Sequence, residues 1–241
     1  VIAEQFGTLE SLYPGRIDLG LGRAPGTDQI TARALRRDRM SAAQEFPESV
    51  EELQHYFSGH NTGPVRAVPG EGLDIPIWIL GSSTDSAYLS AAMGLPYAFA
   101  SHFAPAQLLT ALKIYRQQFR PSEYLDKPHT MACVNVIVAD TDAAANSLAT
   151  SLYQMFLGVI RGKPRKLPPP AESMAGLWNE YEAAHMEQML TYSFIGSKET
   201  VETKLRQFID LTAVDELMVT SHVYDQDARL YSYELLRSMF A

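Results

Sequence analysis

Residues 14–26 read PGRIDLGLGRAPG, and the rest of the chain can be placed from this stretch. A Pro-Gly turn signal stands at each end. Between the turns, Ile17, Leu19 and Leu21 alternate with polar residues or glycine, which is the period-two pattern of a β-strand. The strand ends on Arg23 and is rich in glycine, so its backbone could lie against a ligand. An ordinary core strand with a surface arginine is the alternative interpretation.

The composition indicates an ordinary globular protein. The chain has 241 residues, 46% hydrophobic and 20% charged, which suits one large or two small domains. A net charge of −8 argues against a general nucleic-acid surface. We expect a cytoplasmic protein, because the sequence shows neither an 18-residue apolar run nor a signal peptide. The single cysteine, Cys133, fits a reducing compartment, and its apolar neighbours predict a packed strand residue rather than a nucleophile.

Predicted strands alternate with predicted helices along the chain. Strands separated by helices imply parallel pairing and right-handed crossovers, hence an α/β fold. An open doubly wound sheet and a (β/α)8 barrel both remain possible. The predicted strands cover about 16–22, 76–81, 96–101, 130–139 and 216–220, and the main predicted helices cover 1–12, 47–57, 87–93, 105–119, 198–211 and 229–240.

Two segments depart from this alternation. Residues 141–195 are predicted to form a helical insertion around a proline-rich linker. Residues 27–45 are polar and are predicted to form a long loop with a helical segment around 31–40. This second segment is either a solvated helix face or a mobile segment that closes over an anionic ligand. Its basic residues are Arg33, Arg36, Arg37 and Arg39.

The strongest local motif is Gly81-Ser82-Ser83-Thr84-Asp85-Ser86, between a buried apolar strand and a helix. Free N–H groups and the helix dipole at such a point attract a phosphate, and serine hydroxyls add donors. Serine and aspartate also cap helices without any ligand, so both interpretations stay open. The motif is neither a Walker loop nor a Rossmann fingerprint.

Few other residues predict chemistry of their own. His102 follows a predicted strand end, where barrel active sites lie, and is a weak catalytic candidate. None of the six histidines has a recognised metal-ligand spacing, and the sequence shows neither a nucleophile elbow nor paired catalytic carboxylates. An enzyme of this kind takes its reactive groups from a cofactor.

The same residues resemble the bacterial luciferase-like flavin monooxygenases. Tyr13–Gly26 resembles the fourth strand of that family, and Leu80–Ala87 with Gly94–Pro96 resembles its fifth strand, the following helix start and its sixth strand. The resemblance implies a (β/α)8 TIM barrel of the luciferase-like type, as a single domain over 1–241. It also implies that the chain starts in the third helix and that the first three strands are absent from it.

The resemblance further implies an enzyme that uses reduced FMN and oxygen on a small organic substrate, with a separate flavin reductase and as a homodimer. Arg23 and the hydroxyls of Ser83 and Ser86 would hold the FMN phosphate, aided by the backbone of Gly81 and Ser82. His102 would lie near the flavin ring or the substrate. The family's catalytic histidine precedes this chain, so no catalytic residue is assigned.

Two positions depart from the family pattern. Pro25 falls where the family offers a backbone N–H to the phosphate, and proline has none. A second phosphate-binding arginine has no clear match near Glu48. The alternatives are a deazaflavin-dependent oxidoreductase, a non-catalytic flavin-binding protein, and a sugar-phosphate barrel enzyme with the same phosphate site.

Overall fold

The computed structural model of the protein describes residues 1–23, Thr31, Ala34 and 45–240. The four arginines predicted within 27–45, and Pro25, lie outside the described residues. The chain divides into two compact units. The first comprises Val1–Ala98 and Lys113–His129, and the second comprises Phe99–Leu112 and Thr130–Ala241.

The first unit is built on parallel strands. Strand β1 (Leu19–Gly22) pairs in parallel with strand β2 (Ile77–Gly81), with Leu19 opposite Ile77 and Gly22 opposite Leu80. Helix α3 (Thr84–Met93) is followed by Gly94, whose φ of 63° is the left-handed conformation that glycine adopts without strain. The elements are α1 (Ile2–Leu12), β1 (Leu19–Gly22), α2 (Phe46–Phe57), β2 (Ile77–Gly81), α3 (Thr84–Met93) and β3 (Tyr97–Phe99), which begins in this unit.

The second unit is centred on its longest strand, β4. This strand (Thr130–Ala139) pairs in parallel with both β5 (Ser193–Ser197) and β6 (Glu216–Thr220). Its residue Asn135 lies opposite Ser193 on one side and Thr220 on the other. The elements are a 3-10 turn (Pro105–Gln107), α4 (Leu108–Gln118), which continues into the first unit, β4 (Thr130–Ala139), α5 (Asp142–Ile160), α6 (Glu180–Met189), β5 (Ser193–Ser197), α7 (Lys198–Thr212), β6 (Glu216–Thr220) and α8 (Gln226–Arg237).

Each unit has its own apolar core. In the first, α2 buries Val50, Leu53 and Phe57, which share one helix face, against the strand residues Ile77 and Ile79. In the second, Ile137 of β4 packs with buried residues of α5 and α6, including Leu152, Phe156 and Met186. No helix among the described residues is long and apolar enough to cross a membrane.

The predicted strands are present, and one strand was missed. The sequence patterns predict a helix over 198–211 and no strand directly before it. Ser197 does cap α7, its hydroxyl accepting a hydrogen bond from Thr200 N, but the five residues before the helix also form β5. Only Phe194 and Ile195 of β5 are strong β-formers, so the segment carries little strand signal of its own.

Several element boundaries also differ from prediction. Strand β1 starts at Leu19 rather than at residue 16, and the last helix starts at Gln226 rather than at residue 229. The helix starts earlier because the Asp225 carboxylate accepts a hydrogen bond from Ala228 N and so caps it. Within 141–195, helices α5 and α6 flank residues 161–179. The helical insertion and the single-domain assignment over 1–241 stay predictions.

Candidate functional site

The carboxyl ends of β1 and β2 bring Arg23 and the start of α3 together. Arg23 directly follows β1, and Thr84 begins α3 three residues after the end of β2. Because β1 and β2 are parallel and in register, both segments leave the sheet at the same edge. A cation and a helix N-terminus therefore share one edge of the first unit, as the sequence predicts.

Arg23 has a partner that the sequence analysis did not assign to it. Its Nη2 donates to Asp85 Oδ2 at 3.2 Å, and the two side chains are 47% and 67% exposed. Asp85 lies in the first turn of α3, where a carboxylate also suits the helix dipole. An exposed pair of this kind contributes little to folding, so Arg23 can exchange Asp85 for another anion at small cost.

A small cleft of about 120 Å³ lies beside this ion pair. Arg23, Asp85 and Ser86 line its polar part, and the rest of the lining is apolar: Phe46, Pro47, Ile79, Leu80 and Leu89. Among the described residues, Ser82 and Ser83 do not line it. The structure thus brings two of the five predicted cofactor-binding residues, Arg23 and Ser86, to one cleft.

Ser83 occupies the N-cap position of α3 but does not cap it with its side chain. Its φ and ψ are those of extended backbone, as N-cap residues require, and its hydroxyl makes no capping hydrogen bond within the described part of the chain. Ser82 is exposed in the turn before it. The Ser83 side chain therefore does not cap α3, and the ligand and the plain-cap interpretations of this motif both stay open.

Ser86 is held in a triangle of oxygens. Its hydroxyl donates to the Ser83 carbonyl oxygen at 2.7 Å and lies 3.0 Å from the Tyr97 hydroxyl, which in turn donates to the same carbonyl at 3.2 Å. A Cβ atom built on Gly81 would lie 1.9 Å from Ser86 Oγ. Position 81 is therefore a glycine because the Ser86 side chain occupies the space beside it.

Tyr97 is the residue of this site that sequence reasoning missed. It is fully buried, and burial raises the pKa of its phenol to about 12, so the group stays protonated. The sequence analysis placed Tyr97 in a strand and gave it no role. The available signal was a phenol at the start of an otherwise apolar strand, since a buried tyrosine hydroxyl needs a hydrogen-bond partner.

His102 belongs to the second unit. Its Nδ1 atom is buried without a hydrogen-bond partner among the described residues, and its ring lies edge-on to Phe103 with the centroids 4.7 Å apart. Burial, and then the charge of His222, lower the pKa of His102 to about 4, so the imidazole is neutral at pH 7. A neutral imidazole can exchange hydrogen bonds with a ligand, but its catalytic role stays a prediction.

A buried amide ties the strands beside His102 together. Asn135 Nδ2 donates to the His102 carbonyl oxygen at 2.6 Å and to Ser193 Oγ at 3.0 Å, and Asn135 Oδ1 accepts from Thr220 Oγ1 at 3.0 Å. Asn135 is 1% exposed. It fixes the backbone that carries His102, and sequence analysis did not single it out.

Cys133 lies in β4, as predicted. Burial raises the pKa of its thiol to about 11, which keeps it from acting as a nucleophile. Within the described ranges no group of three or more His, Cys, Asp or Glu side chains could hold a metal ion.

The donor set at the β1–β2 edge fits a phosphate ester. A guanidinium and the N-terminus of α3 both complement a phosphate dianion. Asp85 has the wrong charge for a phosphate ligand, and it is bound to the guanidinium that the phosphate would need. A phosphate would therefore compete with Asp85 for Arg23.

The fold is that of an α/β protein of parallel strands, with a candidate anion site at the carboxyl ends of β1 and β2. The model of a family described as luciferase-like monooxygenase matches residues 1–215. The chain belongs to the luciferase-like monooxygenase family, as the resemblance predicted.

Two relatives show how far the similarity extends. The protein YvbT of Bacillus subtilis is 52% identical over 242 residues, which cover 100% of this chain and 72% of YvbT. A luciferase-like monooxygenase of Escherichia coli is 50% identical over 236 residues, 98% of this chain and 70% of the relative.

Solved structures agree with the fold class. The crystal structure of apo-MsnO8 matches with a TM-score of 0.84 and 31% identity, over 99% of this chain and 73% of that one. Two more distant structures share the fold. The oxygenating constituent of a Pseudomonas putida diketocamphane monooxygenase, in complex with FMN, has a TM-score of 0.65 at 17% identity over 98% of this chain and 73% of that one. A secondary alcohol dehydrogenase that depends on coenzyme F420 has a TM-score of 0.68 at 11% identity over 99% of this chain and 74% of that one. The predicted α/β fold is confirmed, with neighbours among the luciferase-like TIM-barrel enzymes.

Proposed function

We propose that this protein is a flavin-dependent monooxygenase that binds reduced FMN and uses oxygen on a small organic substrate. The observation that carries the proposal is the cleft lined by Arg23 and Ser86 at the start of α3. Family membership supplies the reaction class, and the FMN bound by the Pseudomonas putida neighbour supports the choice of flavin. Bound flavin supplies the redox chemistry for which the described residues offer no group of their own.

In this proposal Arg23 holds the phosphate and so fixes the whole cofactor. The guanidinium supplies fixed positive charge, and the α3 N–H groups supply directed donors. Gly81 leaves room for the Ser86 side chain that lines the same cleft. Ser82 and Ser83 complete the turn through their backbone. His102, neutral and partly buried in the second unit, stays a weak catalytic candidate.

The partners belong to the same proposal. A separate flavin reductase supplies the reduced FMN, and the protein works as a cytoplasmic homodimer. Family resemblance supports these three statements. Size-exclusion chromatography with light scattering measures the dimer, and substrate turnover that starts only when a reductase and NAD(P)H are added supports the reductase.

The test compares FMN with riboflavin, which lacks the phosphate, on the full-length protein. We expect tighter binding of FMN than of riboflavin in a fluorescence titration. Arg23→Ala should weaken FMN binding about 10- to 100-fold and leave riboflavin unaffected, because a charge-assisted contact to phosphate is lost. Arg16→Ala is the matched control, because it also removes an arginine next to β1, but before the start of the strand rather than after its end. The FMN affinity of this variant should stay within about twofold of the wild-type value.

Four results would count against the proposal. The first is equal affinity for FMN and riboflavin. The second is a stronger preference for coenzyme F420 in a parallel titration, which would favour the deazaflavin alternative that the alcohol dehydrogenase neighbour represents. The third is a phosphosugar retained through purification in place of a flavin, which would indicate a sugar-phosphate enzyme. Flavin binding without oxygen consumption over a substrate panel would indicate a non-catalytic flavin protein.

A further inference from the structure

We propose that Tyr97 is a positioning residue of the phosphate site: its hydroxyl holds the Ser83 carbonyl when Ser86 turns its own proton to the phosphate. This inference rests on the proposed function. It adds a switch in hydrogen bonding to that site and assigns it to a residue that lies outside the motif at 81–86.

The number of protons in the oxygen triangle makes the switch possible. The triangle joins the Ser83 carbonyl oxygen, Ser86 Oγ and the Tyr97 hydroxyl oxygen at 2.7, 3.0 and 3.2 Å. The Ser83 carbonyl is at the N-cap and accepts the first backbone hydrogen bond of α3, so the two hydroxyl protons share its remaining lone pair. As the structure stands, the Ser86 proton faces the Ser83 carbonyl and is not available to a ligand.

Tyr97 removes the cost of freeing that proton. A partly buried carbonyl that loses one of its donors is destabilised by up to the worth of one hydrogen bond, which would oppose rotation of Ser86. The Tyr97 hydroxyl is already in place to donate to the same oxygen. Ser86 can therefore turn towards a phosphate in the cleft that it lines with Arg23, and the Ser83 carbonyl keeps a donor.

The burial of Tyr97 suits this role. The ring is fully buried and lies 5.4 Å from the Tyr115 ring, centroid to centroid, so the phenol has little freedom to move away. A purely structural role for Tyr97 would be met by phenylalanine, which fills the same space. Phenylalanine lacks only the hydroxyl, and in Tyr97 this hydroxyl contacts the Ser83 carbonyl oxygen and Ser86 Oγ.

The test is a double-mutant cycle on FMN and riboflavin affinity in the full-length protein. Tyr97→Phe should weaken FMN binding about three- to tenfold, the worth of one hydrogen bond, and change riboflavin affinity less than twofold. Ser86→Ala should have an effect of similar size. The double variant should bind FMN as Ser86→Ala does, because Tyr97 acts through Ser86.

Tyr115→Phe is the matched control. Tyr115 is also fully buried in the first unit, but its hydroxyl donates to the Leu95 carbonyl at 2.9 Å, outside the oxygen triangle. This variant loses a buried phenol hydroxyl as Tyr97→Phe does, and its preference for FMN over riboflavin should match the wild type. Thermal unfolding of all variants checks that each is folded at the assay temperature.

The outcomes separate this inference from the function on which it rests. A wild-type protein without preference for FMN over riboflavin overturns both. A wild-type preference that survives in Tyr97→Phe overturns the role of Tyr97 alone. An equal loss of FMN and riboflavin affinity in Tyr97→Phe would show a general packing effect and would also overturn the role of Tyr97. Additive losses of FMN affinity in the double variant would overturn it as well.

Discussion

At the scale of single residues, charge at the β1–β2 edge decides what binds there. Asp85 occupies Arg23 with a carboxylate and places a negative charge beside the proposed phosphate position. It therefore acts as a competitor for the ligand. The ion pair is exposed on both sides, which limits the effect on folding and leaves ligand binding as the property that Asp85 controls.

Asp85→Asn should tighten FMN binding. The change removes both the competitor and the like charge, and we expect an increase in affinity of about two- to fivefold at low salt, with riboflavin unaffected. Asp18→Asn, an exposed aspartate one residue before β1, is the control. Unchanged or weaker FMN binding in Asp85→Asn would show that the carboxylate does not oppose the phosphate.

His102 should stay neutral well below pH 6. Its pKa in the folded protein is about 4 because of burial, against about 6.5 in an unfolded chain. The unfolded state then binds more protons, so this residue lowers stability as the pH falls from about 6.5 towards 4. The ring resonances of His102, assigned with a His102→Gln variant, should not move in NMR spectra between pH 8 and 5.5. Movement of these resonances with a midpoint near pH 6.5 would contradict the lowered pKa of His102. The urea-unfolded protein gives the reference titration.

At the scale of elements, the sequence predicted most of the parallel strands, and the reasons are visible in them. Strands β2 and β4 are nearly continuous apolar runs, buried on both faces over residues 77–79 and 134–139, which is a strong pattern. Helix α3 ends where a glycine in the left-handed conformation follows it. Strand β5 was missed because its serines, its glycine and its short length resemble a helix approach.

The candidate site was predictable only in part, for a related reason. The convergence of Arg23 and the α3 start follows from parallel strands, which sequence patterns reveal. The roles of Asp85 and Tyr97 depend on where side chains point after folding, and Tyr97 reaches Ser86 from another strand. Neither position carries a spacing or a composition that would indicate the contact beforehand.

The second unit depends on Asn135 for the alignment of its strands. Asn135→Ala removes three hydrogen bonds in a buried position, and we expect it to lower the free energy of unfolding by about 2–4 kcal/mol in urea titrations. Asn146→Ala is the comparison, because Asn146 is exposed and makes one bond to the Asp142 carbonyl. Asn146→Ala should lower the free energy of unfolding by less than about 0.5 kcal/mol. Equal costs in the two variants would refute the structural role of Asn135.

At the scale of the whole molecule, ligand binding should appear as stability. A ligand at 100 times its Kd stabilises the native state by about 2.7 kcal/mol. For a chain of this size we therefore expect FMN at that excess to raise the Tm by about 5–10 °C, measured by circular dichroism. Riboflavin at the same concentration should raise it less, since it lacks the phosphate that Arg23 would hold. Identical shifts for the two flavins would place the binding energy outside the Arg23 cleft.

The pairing of Arg23 with Asp85 also makes retention of a phosphorylated ligand sensitive to acid. A phosphate monoester carries nearly two negative charges at neutral pH and drops to one as the pH falls through about 6, whereas a guanidinium keeps its charge throughout. When the phosphate loses that charge, its electrostatic attraction to Arg23 falls relative to that of the Asp85 carboxylate. Dialysis at mildly acidic pH should therefore strip yellow colour from the protein, and neutralisation with added FMN should restore it.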